Sequence, residues 1–374
     1  MTVSLEKINE ALSTVHDPEI RRPITEIGMV GSVDVSDDGK VTVGVNLTTA
    51  GCPLRDKLTT DITAAVSAVA GVSSVEVVMG VMSDEQKAEL QKTLRGGTPE
   101  RHNPFKDPAS LTRVYAISSG KGGVGKSSMT VNLATAMQRQ GLKVGVVDAD
   151  IYGFSIPHMM GVDSPPQVMD KMIIPPVAHD VKTISIGMFM EENIPVVWRG
   201  PMLHRALEQF FSDVYWGDLD VLLIDLPPGT GDIALSVAQL IPQAEIVLVT
   251  TPQVAAADVA ERAGMMAKQT DQRVVGVIEN MSFLTMPDGS TMEIFGSGGG
   301  QKVAQELSYI LGYDVPLLGQ VPLEQPLREG GDAGKPLATQ DVTSPAREAI
   351  DSIASTLAKR ARGLSGKSLG VSPV

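Results

Sequence analysis

The stretch that decides the fold is Val114-Tyr115-Ala116-Ile117-Ser118-Ser119-Gly120-Lys121-Gly122-Gly123-Val124-Gly125-Lys126-Ser127-Ser128-Met129. A short apolar, β-prone run (Val114–Ile117) enters a glycine-rich turn. A helical pattern follows at once, with Met129, Leu133, Ala136 and Met137 on one face. Gly120 to Ser127 fits G-x-x-x-x-G-K-[ST] in the strand, loop, helix order that its chemistry needs. Glycines let consecutive backbone N–H groups point at phosphate oxygens, and the helix N-terminus adds the positive end of its dipole. The expected ligands are therefore ATP and Mg²⁺. Gly120, Lys121, Gly122, Gly123, Val124, Gly125, Lys126, Ser127 and Ser128 are the expected phosphate contacts. Lys126 is expected to reach the β- and γ-phosphates, and the Ser127 hydroxyl to ligate Mg²⁺.

Outward from this turn, β-branched runs alternate with longer helical stretches: Val144–Val147, Thr183–Ile186, Val221–Ile224, Ile246–Val249, Val274–Ile278 and Pro316–Val321. Several are apolar without alternation, as strands buried on both faces must be. The expected fold is α/β, a P-loop NTPase with a mostly parallel central sheet and helices on both faces. A last helical pattern runs over 345–362, and the Gly/Ser-rich tail 363–374 is expected to be disordered. Residues 1–95 read as a separate small α/β domain. In it Val41, Val43, Val45 and Leu47 alternate at strand period after a Ser36-Asp37-Asp38-Gly39 turn, with a helix from Leu58 to Val69 and a strand from Val72 to Val78. Residues 96–110 hold three prolines and few apolar side chains, which reads as a linker to the 111–362 domain.

Carboxylates fall at the ends of these strands. Asp225 closes the Val221–Ile224 run, the Walker B arrangement for Mg²⁺. Asp148 and Asp150 follow the Val144–Val147 run at the C-terminal edge of the sheet, beside the phosphates. Asp150 is the first candidate to position the attacking water or a Mg²⁺-bound water, and Asp148 the second. Leu226-Pro227-Pro228-Gly229-Thr230-Gly231-Asp232 reads as a stiff loop close to the γ-phosphate. The catalytic set is Lys121, Lys126 and Asp150, and the Mg²⁺ set Ser127, Asp150 and Asp225.

Composition narrows the partners. The net charge of −13 and the lack of a Lys/Arg cluster argue against nucleic acid and anionic membranes. The N-terminus Met1-Thr2-Val3-Ser4-Leu5-Glu6-Lys7 has no signal-peptide pattern, no apolar run reaches membrane length, and the single cysteine, Cys52, fits a reducing compartment; the expected location is the cytoplasm.

Lys121 directly after the first glycine marks the deviant Walker A string K-G-G-x-G-K-[ST]. With Asp148-Ala149-Asp150-Ile151-Tyr152-Gly153, Leu226–Asp232, Trp198-Arg199-Gly200-Pro201-Met202, Glu279-Asn280-Met281-Ser282 and Ile294-Phe295-Gly296, it makes the chain resemble the Mrp/ApbC branch of the ParA/MinD-type P-loop ATPases, the iron–sulfur cluster carriers. The likeness spans nearly the whole chain. Asp17-Pro18-Glu19-Ile20 and Thr49-Ala50-Gly51-Cys52-Pro53-Leu54 resemble the small iron–sulfur-assembly domain that precedes this ATPase in bacteria. The resemblance implies a homodimer in which Lys121 reaches the partner's nucleotide, an adenine pocket using Asn280 and Pro322, and iron–sulfur apoproteins or assembly factors as partners. It also implies slow, switch-like ATP hydrolysis.

One departure stands out. Carriers of this family hold a Cys-Pro-x-Cys pair after the Glu-Asn-Met-Ser string; here the stretch is Thr285-Met286-Pro287-Asp288-Gly289. A dimer offers two thiols, one Cys52 from each protomer, where a bridging [4Fe–4S] cluster takes four. Asp288 and Met286 are poor substitutes, and His16, His102, His158, His179 and His204 show no paired ligand spacing. Cys52 is left as the one candidate cluster ligand. The expected function is an ATP-binding and ATP-hydrolysing iron–sulfur cluster carrier or assembly protein. The alternatives are a nucleotide-switched scaffold or positioning ATPase of the ParA/MinD type, and an assembly factor that couples ATP to a cluster-holding partner.

Overall fold

The computed structural model describes residues 3–49, 55–96, 102–107, 109–151, 153–169, 171–190, 200–229, 231–253, 256–286 and 288–360. Cys52, Tyr152, Trp198, Thr230, Pro287 and the tail 363–374 lie outside the described residues. In chain order the elements are α1 (Leu5–Ser13), β1 (Val30–Val35), β2 (Lys40–Leu47), α2 (Arg55–Ser67), β3 (Ser74–Val81) and α3 (Asp84–Arg95). Next come β4 (Arg113–Ser118), α4 (Lys126–Arg139), β5 (Val144–Asp148), α5 (Ile156–Met159), β6 (Gln167–Met169), β7 (Met172–Ile174), β8 (Val177–Ala178), β9 (Val181–Ser185) and α6 (Gly200–Ser212). The chain continues through β10 (Val221–Asp225), α7 (Asp232–Leu240), β11 (Glu245–Thr250), α8 (Ala256–Thr270), β12 (Val274–Asn280), β13 (Leu284–Thr285) and β14 (Thr291–Met292). It ends with α9 (Gly299–Leu311), β15 (Leu317–Val321), α10 (Gln325–Asp332) and α11 (Pro345–Lys359).

These elements form two compact units. The first comprises residues 1–102, 166–176 and 213–217, and the second 103–165, 177–212 and 218–374. The first unit is therefore discontinuous in sequence, which the composition of residues 1–110 gives no reason to expect. Its sheet runs β1-β2-β3, with β1 antiparallel and β3 parallel to β2. Gly39 closes the β1–β2 turn at φ +83°, where a Cβ would lie 2.6 Å from the Gly71 carbonyl. Val41, Val43, Val45 and Leu47 alternate into the core, with Ile8 and Leu12 of α1 and Leu58, Ile62 and Val66 of α2. Met169, Met172 and Ile174 of the β6–β7 hairpin complete that core. Residues 213–217 dock on the hairpin backbone: the Ile173 N–H donates to the Asp213 carbonyl and the Tyr215 N–H to the Ile173 carbonyl.

The second unit is built on an eight-stranded sheet in the order β15-β12-β11-β4-β10-β5-β9-β8. Every pair is parallel except the terminal β8–β9 hairpin. The strands β5, β10 and β12 are buried along their whole length, which is why their sequences do not alternate. One face packs on α4 and α11, where Met129, Leu133, Ala136 and Met137 meet Ile350, Ile353 and Leu357. The other face is buried too, through Leu222, Ile224, Leu248 and Val277, with α9 lying on β12. Residues 103–107 are anchored to this unit: Phe105 is buried edge-to-face on Phe211, and the Asn103 amide donates to the Leu240 carbonyl.

Candidate nucleotide site

Three strand ends set the floor of the site. In the parallel register Asp225 of β10 pairs with Ile117 of β4 on one side and Asp148 of β5 on the other. The chain leaves β4 at Ser118, turns through residues 119–125 and enters α4 at Lys126. Gly125 caps the helix at φ +79°, a left-handed conformation that favours glycine. A Cβ there would also lie 2.2 Å from Nδ2 of Asn280. Above the turn opens a cavity of about 300 Å³, lined by Ser119, residues 121–128, Asp150, Met159 and Pro228.

Beneath it, Asp225 gathers three donors. Lys126 Nζ lies 2.7 Å from Oδ2, and the Ser127 hydroxyl donates to the same oxygen at 2.6 Å. The Thr130 hydroxyl donates to Oδ1 at 2.7 Å. Thr130 was not among the expected site residues. Its signal was present: it stands one helical turn beyond Lys126 on the same face. The ion pair is almost wholly buried, its two side chains 6% and 1% exposed.

Asp148 and Asp150 are set apart by their surroundings. Asp150 lines the cavity, and its Oδ1 accepts the Gly153 N–H at 3.1 Å. Asp148 is fully buried; it accepts N–H bonds from Asp150 and Ile156 and the Ser185 hydroxyl. Burial first, and the neighbouring charge of Asp225 second, push its carboxyl up to about 7. Pro228 brings the Leu226–Asp232 loop to the cavity, and the Gly229 N–H ties that loop to the Ser119 carbonyl at 2.9 Å.

Lys121 lines the cavity and donates to Oε1 of Gln253, just beyond β11; no sequence signal marks Gln253 for that role. Asn280 and Pro322 stand at neighbouring strand ends, Asn280 pairing with Val321 in register, and neither lines the cavity. Asn280 Nδ2 donates to the Val124 carbonyl at 2.9 Å and so braces the phosphate turn, while its buried Oδ1 has no hydrogen-bond partner. Next to it, the buried Glu279 accepts the Gly300 N–H at 2.5 Å and Gln320 Nε2 at 2.7 Å. Asp288 closes the β13–β14 turn, accepting the Ser290 hydroxyl and N–H, which hold its carboxyl below the ordinary range. Among the described residues no group of three or more His, Cys, Asp or Glu side chains is placed to hold a metal. No described helix is long and apolar enough to cross a membrane.

The donor set fits magnesium and a polyphosphate. A carboxylate oxygen and a hydroxyl oxygen 2.6 Å apart are hard oxygen ligands, and the glycine turn and Lys126 line the cavity beside them.

Residues 110–358 match the family model of the NUBPL iron-transfer P-loop NTPases, and residues 5–77 match that of the iron–sulfur cluster assembly proteins. The chain belongs to the NUBPL iron-transfer P-loop NTPase family. The chain is accordingly a nucleotide-binding P-loop NTPase. It is 61% identical over 366 residues to an iron–sulfur cluster carrier protein of Mycobacterium bovis, covering 98% of this chain and 96% of that protein. A carrier protein of Deinococcus radiodurans is 41% identical over 351 residues, 93% of each chain. Among solved structures, a nucleotide-binding protein of Archaeoglobus fulgidus in complex with ADP is 33% identical, with a TM-score of 0.53, covering 63% of this chain and 94% of that one.

Proposed function

We propose that this protein is an ATP-dependent iron–sulfur cluster carrier or assembly protein. The observation that carries the nucleotide half is the convergence of Lys126, Ser127 and Thr130 on Asp225 below a cavity floored by the glycine turn. Whole-length similarity to carrier proteins supports the cluster half.

The residues divide the work as follows. Turn amides and Lys126 bind the phosphate chain, with Lys126 offsetting charge on the β- and γ-phosphates. Ser127 and Asp225 would hold Mg²⁺, which supplies neutralisation of phosphate charge when bound. Asp150, facing the cavity, orients the attacking water, and the fully buried Asp148 fixes the backbone that carries Asp150. Lys121 is exchanged from Gln253 to a partner protomer's nucleotide, so hydrolysis follows pairing and is slow. Asn280 sets the turn, and its free Oδ1 is an acceptor suited to an adenine amino group. The protein acts in the cytoplasm on iron–sulfur apoproteins or assembly factors.

The β13–β14 turn favours a second reading in which a partner holds the cluster. Where carriers place a cysteine pair, this chain has a hairpin closed by Asp288 and Ser290. Anaerobic reconstitution with iron and sulfide, read by absorbance and iron content, separates the two. Iron bound by the parent and lost in Cys52→Ala supports a Cys52-dependent carrier; no iron in either protein supports the partner-held reading, and equal iron in both counts against a Cys52-dependent carrier.

A further inference from the structure

The loop that carries Asp150 is fastened by hydrogen bonds at its two ends and by an aromatic ring between them. Asp148 and Ser185 are paired in register at the ends of β5 and β9. Beyond them the chain leaves β5 through residues 149–155 and leaves β9 through a short 3-10 turn, Ile186–Phe189. Asp148 holds both ends of the first loop: Oδ1 accepts the Asp150 N–H at 3.1 Å, and Oδ2 accepts the Ile156 N–H at 3.2 Å. The ring joins this loop to the turn after β9. A Cβ built on Gly187 would lie 2.3 Å from Cδ2 and 2.6 Å from Cγ of Phe154, so the Phe154 ring rests directly on the Gly187 backbone.

Gly187 makes a firm seat. Its φ is outside the left-handed region, so the missing Cβ answers to the ring and not to the backbone conformation. The Gly187 N–H donates to the buried Ser185 hydroxyl at 3.1 Å, and that hydroxyl donates to Asp148 Oδ2 at 3.2 Å. Ile186 is buried, and the Phe189 ring packs on Phe210 with centroids 5.7 Å apart. Phe154 itself is 44% exposed and does not line the cavity, so neither core burial nor nucleotide contact accounts for a phenylalanine there. Its neighbour along the chain does touch the site. The Gly153 N–H donates to Asp150 Oδ1 at 3.1 Å, and a Cβ on Gly153 would lie 3.5 Å from Oδ2 of the same carboxylate. Where Gly153 stands sets how the Asp150 carboxylate is turned, and the seated ring sets where Gly153 stands.

We infer that Phe154 is a positioning residue for ATP hydrolysis: its ring, seated on Gly187, holds Gly153 and through it the orientation of the Asp150 carboxylate at the cavity. The inference rests on the water-orienting role proposed for Asp150.

The test uses the full-length protein and measures kcat and KM for ATP, ADP affinity by calorimetry, and ATP-dependent pairing by light scattering. Phe154→Ala should lower kcat by about tenfold or more, since a catalytic group misplaced by about 1 Å can cost about 10²-fold. KM, ADP affinity and pairing should stay within about twofold of the parent, the split expected of a group that acts on the transition state alone. Phe154→Tyr keeps the ring face and should keep the parental kcat. Gly187→Ala should lower kcat as Phe154→Ala does, because its methyl takes the place of the ring, and combining the two should cost nothing further. A ring that served only the stability of the fold would lower the folded fraction and leave kcat per ADP-binding site unchanged. If Gly187→Ala does not fold, Phe154→Ala and Phe154→Tyr decide. The latch is overturned by a parental kcat in Phe154→Ala, by additive losses in the double variant, or by a fall in kcat that tracks lost pairing. Asp150→Asn separates this from the underlying reading: parental turnover in that variant would overturn the role of Asp150 itself, and the latch with it.

Discussion

Lys126 and Asp225 form a buried ion pair, Nζ to Oδ2 at 2.7 Å, and the Ser127 and Thr130 hydroxyls hydrogen-bond the same carboxylate. One carboxylate thus orders the lysine meant for phosphate and the hydroxyl meant for Mg²⁺. Lys126→Met keeps the stem and removes the charge. It should abolish ADP and ATP binding in calorimetry and lower stability by about 3 kcal/mol, because Asp225 then stays buried without its cation. A variant that binds ADP like the parent would remove the site assignment.

Thr130 contributes without facing the cavity. Thr130→Val is close to isosteric and deletes one hydroxyl from a buried carboxylate, a loss of about 1–3 kcal/mol in stability. Its further effect should fall on the metal: the Mg²⁺ concentration for half-maximal ATPase activity should rise, with ADP affinity in EDTA little changed. An unaltered Mg²⁺ requirement would make Thr130 a packing residue only.

How much of this was legible in the sequence depends on how local the cause is. The runs at Val221–Ile224 and Val144–Val147 announced β10 and β5 because both faces are buried, and Lys126 and Ser127 were fixed by a motif whose geometry is local. The β6–β7 hairpin was not legible, since its strands have three residues each and its partners Ile8 and Leu12 lie far away in sequence. Asn280 was expected at a base; its hold on the Val124 carbonyl needs β12 and the phosphate turn to be neighbours, which no spacing states. Position alone made Asp150 the first candidate and Asp148 the second; what separates them physically, Asp150 lining the cavity and Asp148 fully buried, is seen only in the fold.

Asp148 gives the metal-free protein a distinctive pH dependence. Its carboxyl is pushed from an ordinary 3.8 up to about 7 by burial and by Asp225. Between those values the folded chain holds a proton that the unfolded chain releases, so this group's contribution to stability is complete below about pH 4 and is lost as pH rises through about 7. Urea midpoints in EDTA between pH 5 and pH 8, taken as the difference between parent and Asp148→Asn, should isolate that slope. The variant should start lower, having lost an acceptor for Ile156 or Ser185, and its curve should be flatter. Parallel curves would contradict the raised value.

Gly125 and Asn280 make a paired prediction. Gly125→Ala meets two obstacles, a backbone at φ +79° and a Cβ 2.2 Å from Asn280 Nδ2. The left-handed conformation alone costs about 1–2 kcal/mol, and displacing the amide frees the Val124 carbonyl. Nucleotide affinity should fall by about tenfold or more, since 1.4 kcal/mol is one decade. Adding Asn280→Ala removes the clash but not the conformational strain, so the double variant should regain part of the stability lost in Gly125→Ala. Strict additivity in the thermal midpoints would show that the two side chains do not compete for that space.

Lys121 tests whether hydrolysis requires a second chain. Within one chain its ammonium is held by Gln253, away from the buried Lys126–Asp225 pair, so it is not needed to shape the phosphate turn. Lys121→Ala should therefore bind ADP within about twofold of the parent. If the lysine crosses to a partner's phosphates, the same variant should lose about 10²–10³ in ATP turnover, the scale of deleting one preorganised donor to transition-state charge. ATP-dependent pairing, followed by light scattering, should be lost with it. Gln253→Ala frees the lysine and should pair at lower ATP concentration than the parent. A Lys121→Ala protein that hydrolyses ATP at the parental rate would exclude the crossing role and leave Lys126 and Asp150 to act within a single chain.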